Sequence, residues 1–257
     1  MLMIRNDQVD LLREAVQRGF EREMVLHLAD FSPPLVKTIG GDQLREVTRL
    51  GMARAAQYGL TYRGPVRLYL ELMLLLGSYF DSDPQYPWAA EILADQRSGG
   101  QMQRAERLYE KTLAYREAVG GPEDKYTLAA LRNILLLSQR ALHLSSDNFV
   151  SDMLHELHMM YPQKAAYVGE HALEALIAIG MERARAFRFP TLRGYALIIV
   201  LMLAFGHACV DDPLYPWIAR TLNDDMIKDE AARAKRLEGK ALTWFKHVLT
   251  NFDEASR

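Results

Sequence analysis

The chain repeats itself. Laid over itself at an offset of 129, residues 51–93 match residues 180–222 without a gap, and 16 of the 43 positions are identical. Unrelated sequences of ordinary composition would share roughly two or three. The register runs on in both directions. Upstream, Phe20, Met24, Leu28 and Pro33 fall on Phe149, Met153, Leu157 and Pro162; downstream, Arg104, Leu108, Lys111, Leu113 and Val119 fall on Arg233, Leu237, Lys240, Leu242 and Val248. Twice 129 is 258, against 257 residues, so whatever one unit folds into is expected to be built twice, over residues 1–121 and 122–257.

The periodicity within a unit is helical. Val9, Leu12, Val16, Phe20 and Met24 recur at threes and fours and share one helix face. Asp42 stands as an N-cap before a second apolar series, which Gly59 ends, and Gly64-Pro65 opens a third. Leu68–Leu76 closes at Gly77, a short helix covers Trp88–Leu93, and a last one runs from Met102 to Val119 before Gly120-Gly121-Pro122. No run alternates with period two. The expected fold is all-α: two tandem bundles of about five helices each, related by a pseudo-twofold axis.

The stretch Ala196–Val210, ALIIVLMLAFGHACV, is apolar enough to raise a membrane span. It is shorter than the roughly 20 residues a span needs, contains His207, and lies over first-copy sequence carrying Arg67 and Glu71. A buried core helix is expected instead. Met1–Asp7 lacks the pattern of a secretory signal, and one cysteine, Cys209, cannot form an intrachain disulfide, so a reducing cytoplasm is the expected location. With 31 Lys and Arg against 33 Asp and Glu, no basic excess points to nucleic acid.

The most specific local pattern is Asp83-Pro84-Gln85-Tyr86-Pro87-Trp88, repeated as Asp212-Pro213-Leu214-Tyr215-Pro216-Trp217. Two prolines three apart stop a helix and force a turn. Asp83 and Asp212 can cap that turn, while the tyrosine and tryptophan act either as pegs into the core or as a partner-binding platform. These residues are the candidate binding site, with the structural reading favoured.

Catalytic signals are weak. His155 and His158 stand at i and i+3, with His171 nearby, but this is not the H-E-x-x-H zinc pattern, and the first copy has no equivalent. A metal-dependent enzyme using these three is kept as a second alternative. Cys209 reads as a small hydrophobe within the apolar helix. Arg233–Arg236 with Lys240 reads as a solvated helix face, and the Asp211-Asp212 and Asp224-Asp225 pairs as helix-end caps. No enzyme and no cofactor are expected.

Gly51, Met52, Arg54 and Ala55, then Leu72–Gly77, Phe80–Leu93 and Arg104–Pro122, give the order GMxRA, LMLLLG, FDxDPxxPWAAEIL and RAxxLYEKTLAYxExVGGP. In this order the chain resembles a group of helical accessory proteins encoded beside PAAR-linked toxins and spike proteins of bacterial type VI secretion systems. The match covers most of the first copy and is looser in the second, where Cys209 replaces Phe80 and Val210 replaces Asp81. The resemblance implies a cytoplasmic adaptor or co-chaperone for toxin loading, with the toxin, its chaperone or the spike as partner. An immunity protein that neutralises a cognate toxin is the first alternative.

Overall fold

The computed structural model describes residues 6–97 and 99–255. Residues 1–5, and with them most of the Met1–Asp7 segment, fall outside the description, as do the side chains of Val9 and Leu12. The described residues form thirteen α-helices and no strand. In the first half these are α1 (Asn6–Phe31), α2 (Pro33–Ile39), α3 (Gly41–Gln57), α4 (Arg63–Leu76), α5 (Pro87–Ala94) and α6 (Gln101–Tyr115). Then follow α7 (Lys125–Leu137), α8 (Phe149–Met160), α9 (Pro162–Val168), α10 (Glu170–Ala186), α11 (Leu192–Phe205), α12 (Pro216–Leu222) and α13 (Glu230–Ala255). No helix among the described residues is long and apolar enough to cross a membrane.

Several boundaries differ from the sequence reading, each for a local reason. α2 is an extra helix that apolar periodicity does not reveal; the prolines at Pro33 and Pro34 start it where a missing N–H is harmless. α3 begins at Gly41, so Asp42 lies within its first turn, and Gly40 occupies the cap with φ of 85°. α6 ends at Tyr115, and its last stretch widens into a π-helical turn over Arg116–Gly120. α11 ends at Phe205 because Gly206, at φ of 97°, turns the chain; Cys209 therefore lies in the turn after the helix, not within it.

The spacing of 129 recurs in the helices themselves. The bounds of α2, α3 and α4 reappear 129 residues on as those of α9, α10 and α11, and the starts of α5 and α6 as those of α12 and α13. The exception is at the front. α8 begins at Phe149 after a break over residues 138–148, whereas the chain around Phe20 runs unbroken through α1.

α4 packs on α3 and α6, and α11 packs on α10 and α13. Met73 and Leu70 of α4 crowd Gly51 of α3, and Ile199 and Met202 of α11 crowd Gly180 of α10, so neither glycine leaves room for a larger side chain. The buried apolar residues form one cluster that includes Leu72, Phe80 and Leu108 from the first half and Leu157, Ile199 and Leu237 from the second. At the expected boundary near residue 121 the chain makes a tight turn, with Gly121, Glu123 and Asp124 all at positive φ.

Candidate functional site

The two aspartate-proline corners meet in the interior. Asp83 Oδ1 accepts from the backbone N–H of Gln85, a local turn of the kind short acidic side chains favour, and its Oδ2 accepts from the N–H of His207 at 2.6 Å. Asp212 mirrors this. Its Oδ1 accepts from the N–H of Leu214, and its two oxygens take the N–H and the hydroxyl of Ser78 at 2.8 and 2.6 Å. Ser78 and His207 follow the helix-ending glycines Gly77 and Gly206. Each corner thus ties down its own turn and the end of the opposite half's apolar helix.

Burial pushes the Asp212 carboxyl above its ordinary range, against the donors of Ser78 and Leu214 that favour its charged form. The His207 imidazole Nδ1 sits 3.4 Å from Asp83 without a hydrogen bond. Gln85 spans the same junction, donating to the Met202 carbonyl at 3.0 Å.

The aromatic residues of the corner are mostly pegs. Tyr86 and Tyr215 are buried, Trp88 and Trp217 are half-buried, and of the four prolines only Pro87 is exposed. Tyr86, Tyr115 and Tyr167 stand edge to face in a row, while Tyr215 and Trp217 join Phe205, Trp244 and Phe245 in a ring cluster. Asp83, Tyr86, Asp212 and Tyr215 are enclosed, so what this motif offers a partner is Pro87 and the outer edges of the tryptophans.

Three further polar groups give the sequence reading no signal. Lys164 on α9 is buried, with Nζ donating to the Leu203 carbonyl at 2.6 Å and lying against Tyr86; desolvation lowers its pKa to about 8, with nearby Asp83 opposing the shift. Asp81 is buried between Arg54, which pairs with it and lies over the Tyr79 ring, and the Tyr69 hydroxyl, which donates to it at 2.8 Å. Burial and the neighbouring carboxylate push the Tyr69 hydroxyl well above its usual range. Arg104 donates to the carbonyls of Tyr58 and Leu93, joining the ends of α3 and α5. Its counterpart Arg233 does the same for Ile227, and Lys240 reaches Thr221, so those two residues of the supposed solvated face are spent on internal hydrogen bonds.

A groove of about 750 Å³ opens where the end of α7, the following loop and α8 meet, among Leu136, Arg140, His143, His155, Glu156 and Met159. Met159 and Leu136 are 61 % and 55 % exposed on its sides. Arg140 holds the buried Glu156 through its two terminal guanidinium nitrogens, and Asp152 is held by the N–H and hydroxyl of Ser145. Apolar walls over a fixed ion pair suit the side chains of another polypeptide.

The three histidines do not converge. His155 lines the groove, the His158 ring is bound to the Leu154 carbonyl of its own helix, and His171 is exposed on α10. No group of three or more His, Cys, Asp or Glu among the described residues could hold a metal ion. The Cys209 thiol is buried, and burial together with Asp212 and Asp83 raises its pKa well above the ordinary value, which disfavours the thiolate. Compared with protein-family models, curated proteins and solved structures, the chain matches none.

Proposed function

We propose that this protein works by binding another protein, as a cytoplasmic adaptor or co-chaperone that helps load a type VI secretion toxin. The observation that carries the reading is the groove of α7 and α8, where Leu136 and Met159 leave apolar surface open beside a fixed ion pair. The resemblance of the Gly51–Pro122 segment names the partner class. We further infer that the chain is a tandem duplication whose halves face each other about a pseudo-twofold axis. That reading is supported by the 129-residue spacing of helix bounds and by the reciprocal clamps of Asp83 on His207 and Asp212 on Ser78.

The test is co-purification from a host that makes the PAAR-linked toxin. The unaltered chain retains the toxin, and the Leu136→Asp/Met159→Asp double variant, with unchanged far-UV circular dichroism, loses it. Equal capture by both would refute the groove. Deleting the gene separates escort from inhibitor: toxin delivery fails in viable cells if the protein is an adaptor, whereas the producing cells die if it is an immunity protein.

A further inference from the structure

Among the described residues α6 packs on α4, on α5 and on the π-helical turn that follows it. Its outer side carries Met102, Tyr109 and Leu113, all exposed. They stand at i, i+7 and i+11, within about 40° of one another round the helix at 3.6 residues per turn. Written as a heptad, Met102 and Tyr109 take position d, Glu106 and Leu113 position a, and Glu110 position e beside the seam. The stripe is thus the seam of a two-helix pairing whose second helix is absent from this chain.

Its charge says what that helix carries. Glu106 and Glu110 are exposed, and neither enters an ion pair among the described residues. At i and i+4 the two like charges repel each other and weaken the helix. The cations of α6 are turned elsewhere. Arg104 is buried on the Tyr58 and Leu93 carbonyls, Arg107 pairs with Asp95 at 2.8 Å, and Lys111, nine residues from Met102, projects from the opposite side. Arg116, in the turn that follows, pairs with Asp124.

We propose that the outer side of α6 receives a basic amphipathic helix of another protein. The partner's aliphatic side chains lie along Met102, Tyr109 and Leu113, and its lysines or arginines face Glu106 and Glu110. Met102 to Leu113 spans about 17 Å, three turns, which matches a short helix laid along it. A second α6 does not fit, because pairing the stripe with itself in either direction leaves Glu106 in the seam without a cation. This face shares no residue with the groove of α7 and α8, so the proposal stands apart from the adaptor reading.

The probe is a fluorescein-labelled peptide of about five helical turns, with leucines along one stripe and lysines beside it. A second peptide carries glutamate for every lysine. Each is titrated with the full chain and read by fluorescence anisotropy. The lysine peptide is expected to bind, more weakly as salt rises from about 50 to about 500 mM, and the glutamate peptide is not. Leu113→Asp is expected to weaken binding at least about 10-fold, the effect of removing one buried aliphatic side chain. Glu106→Lys/Glu110→Lys should weaken it at least about 10-fold as well, since like charges then face each other. Both variants are checked for unchanged far-UV circular dichroism, and Leu136→Asp/Met159→Asp should bind as the unaltered chain does. Equal binding of the two peptides, indifference to either α6 variant, or no binding up to about 1 mM, the weak end of the affinity scale, would overturn the proposal. So would loss of the peptide in Leu136→Asp/Met159→Asp, which would assign it to the groove, or a dimer of the chain alone that Leu113→Asp dissolves, which would give the stripe to a second copy.

Discussion

Replacing Gly77 by alanine tests how closely the two apolar helices approach. Four glycines share one backbone geometry: Gly40 (φ 85°, ψ 162°), Gly169 (85°, 157°), Gly77 (100°, 152°) and Gly206 (97°, 154°). Alanine in that region costs about 1–3 kcal/mol wherever it stands. The surroundings differ. A Cβ at Gly40 or Gly169 would meet nothing within 4 Å, one at Gly206 would lie 3.2 Å from the Leu76 carbonyl oxygen, and one at Gly77 would lie 2.5 Å from the Phe205 carbonyl oxygen. Relieving that last contact needs a backbone shift of about 0.8 Å, since carbon and oxygen rest near 3.3 Å. The next residue is Ser78, whose 2.8 and 2.6 Å bonds to Asp212 would stretch with it. Hydrogen bonds to a charged group contribute about 1.5–3 kcal/mol each, so weakening the pair adds about 2–4 kcal/mol. Urea unfolding followed by far-UV circular dichroism should rank Gly77→Ala as most costly, Gly206→Ala next, and Gly40→Ala with Gly169→Ala least. A Gly77→Ala loss no larger than that of Gly40→Ala would refute the close approach.

Buried Lys164 makes stability depend on pH. Its pKa falls from an ordinary value near 10.5 to about 8 on folding, so between these values the unfolded chain binds more protons and stability rises with pH. Lys164→Met should abolish that rise, read as the difference in unfolding free energy between pH 7.5 and 9.5; parallel curves would rule it out. Arg104→Met leaves the Tyr58 and Leu93 carbonyls without their donor, and a loss of about 2–4 kcal/mol is expected by urea titration. Asp81→Val, which installs the second half's residue, strands Arg54 and Tyr69 and should cost about 3–5 kcal/mol. Adding Tyr69→Ile and Ser82→Asp completes the second-half arrangement, in which Arg183 pairs with Asp211 at 3.1 Å. Calorimetry should then show most of the melting temperature restored, and no recovery would mean that Asp81 acts by another route.

The fold class was legible because apolar spacing, proline starts and glycine stops all act within a few residues. Gly77 and Pro87 mark their helix ends at the sequence level and do so in space, whereas α4 starts at Arg63, two residues before the Pro65 expected to open it. α2 was missed because seven residues are two turns, too few for periodicity, and none of its side chains is buried. The corner aspartates were read as local caps, which they are, but their second acceptor contacts fall 124 and 134 residues away. Nothing in DPxYPW encodes that reach. Lys164 and Arg104 were illegible for the related reason that a long basic side chain looks solvated until a carbonyl is placed at its tip. The groove depends on where the 138–148 break sends α8, and Leu136 and Met159 carry the same apolar signature as the core residues beside them.

Under the duplication reading, the halves differ most where they do not face each other. At the junction the glycine, aspartate, proline and tyrosine positions are the same in both, because each half's turn supplies acceptors to the other's helix end, and a change on one side would strand a buried N–H on the other. Away from it, one half spends a buried Arg54–Asp81–Tyr69 cluster where the other has Val210 and Ile198. One half likewise runs α1 unbroken where the other has a break over residues 138–148. On either side of that break, α7 packs on α13 and the groove lies between α7 and α8.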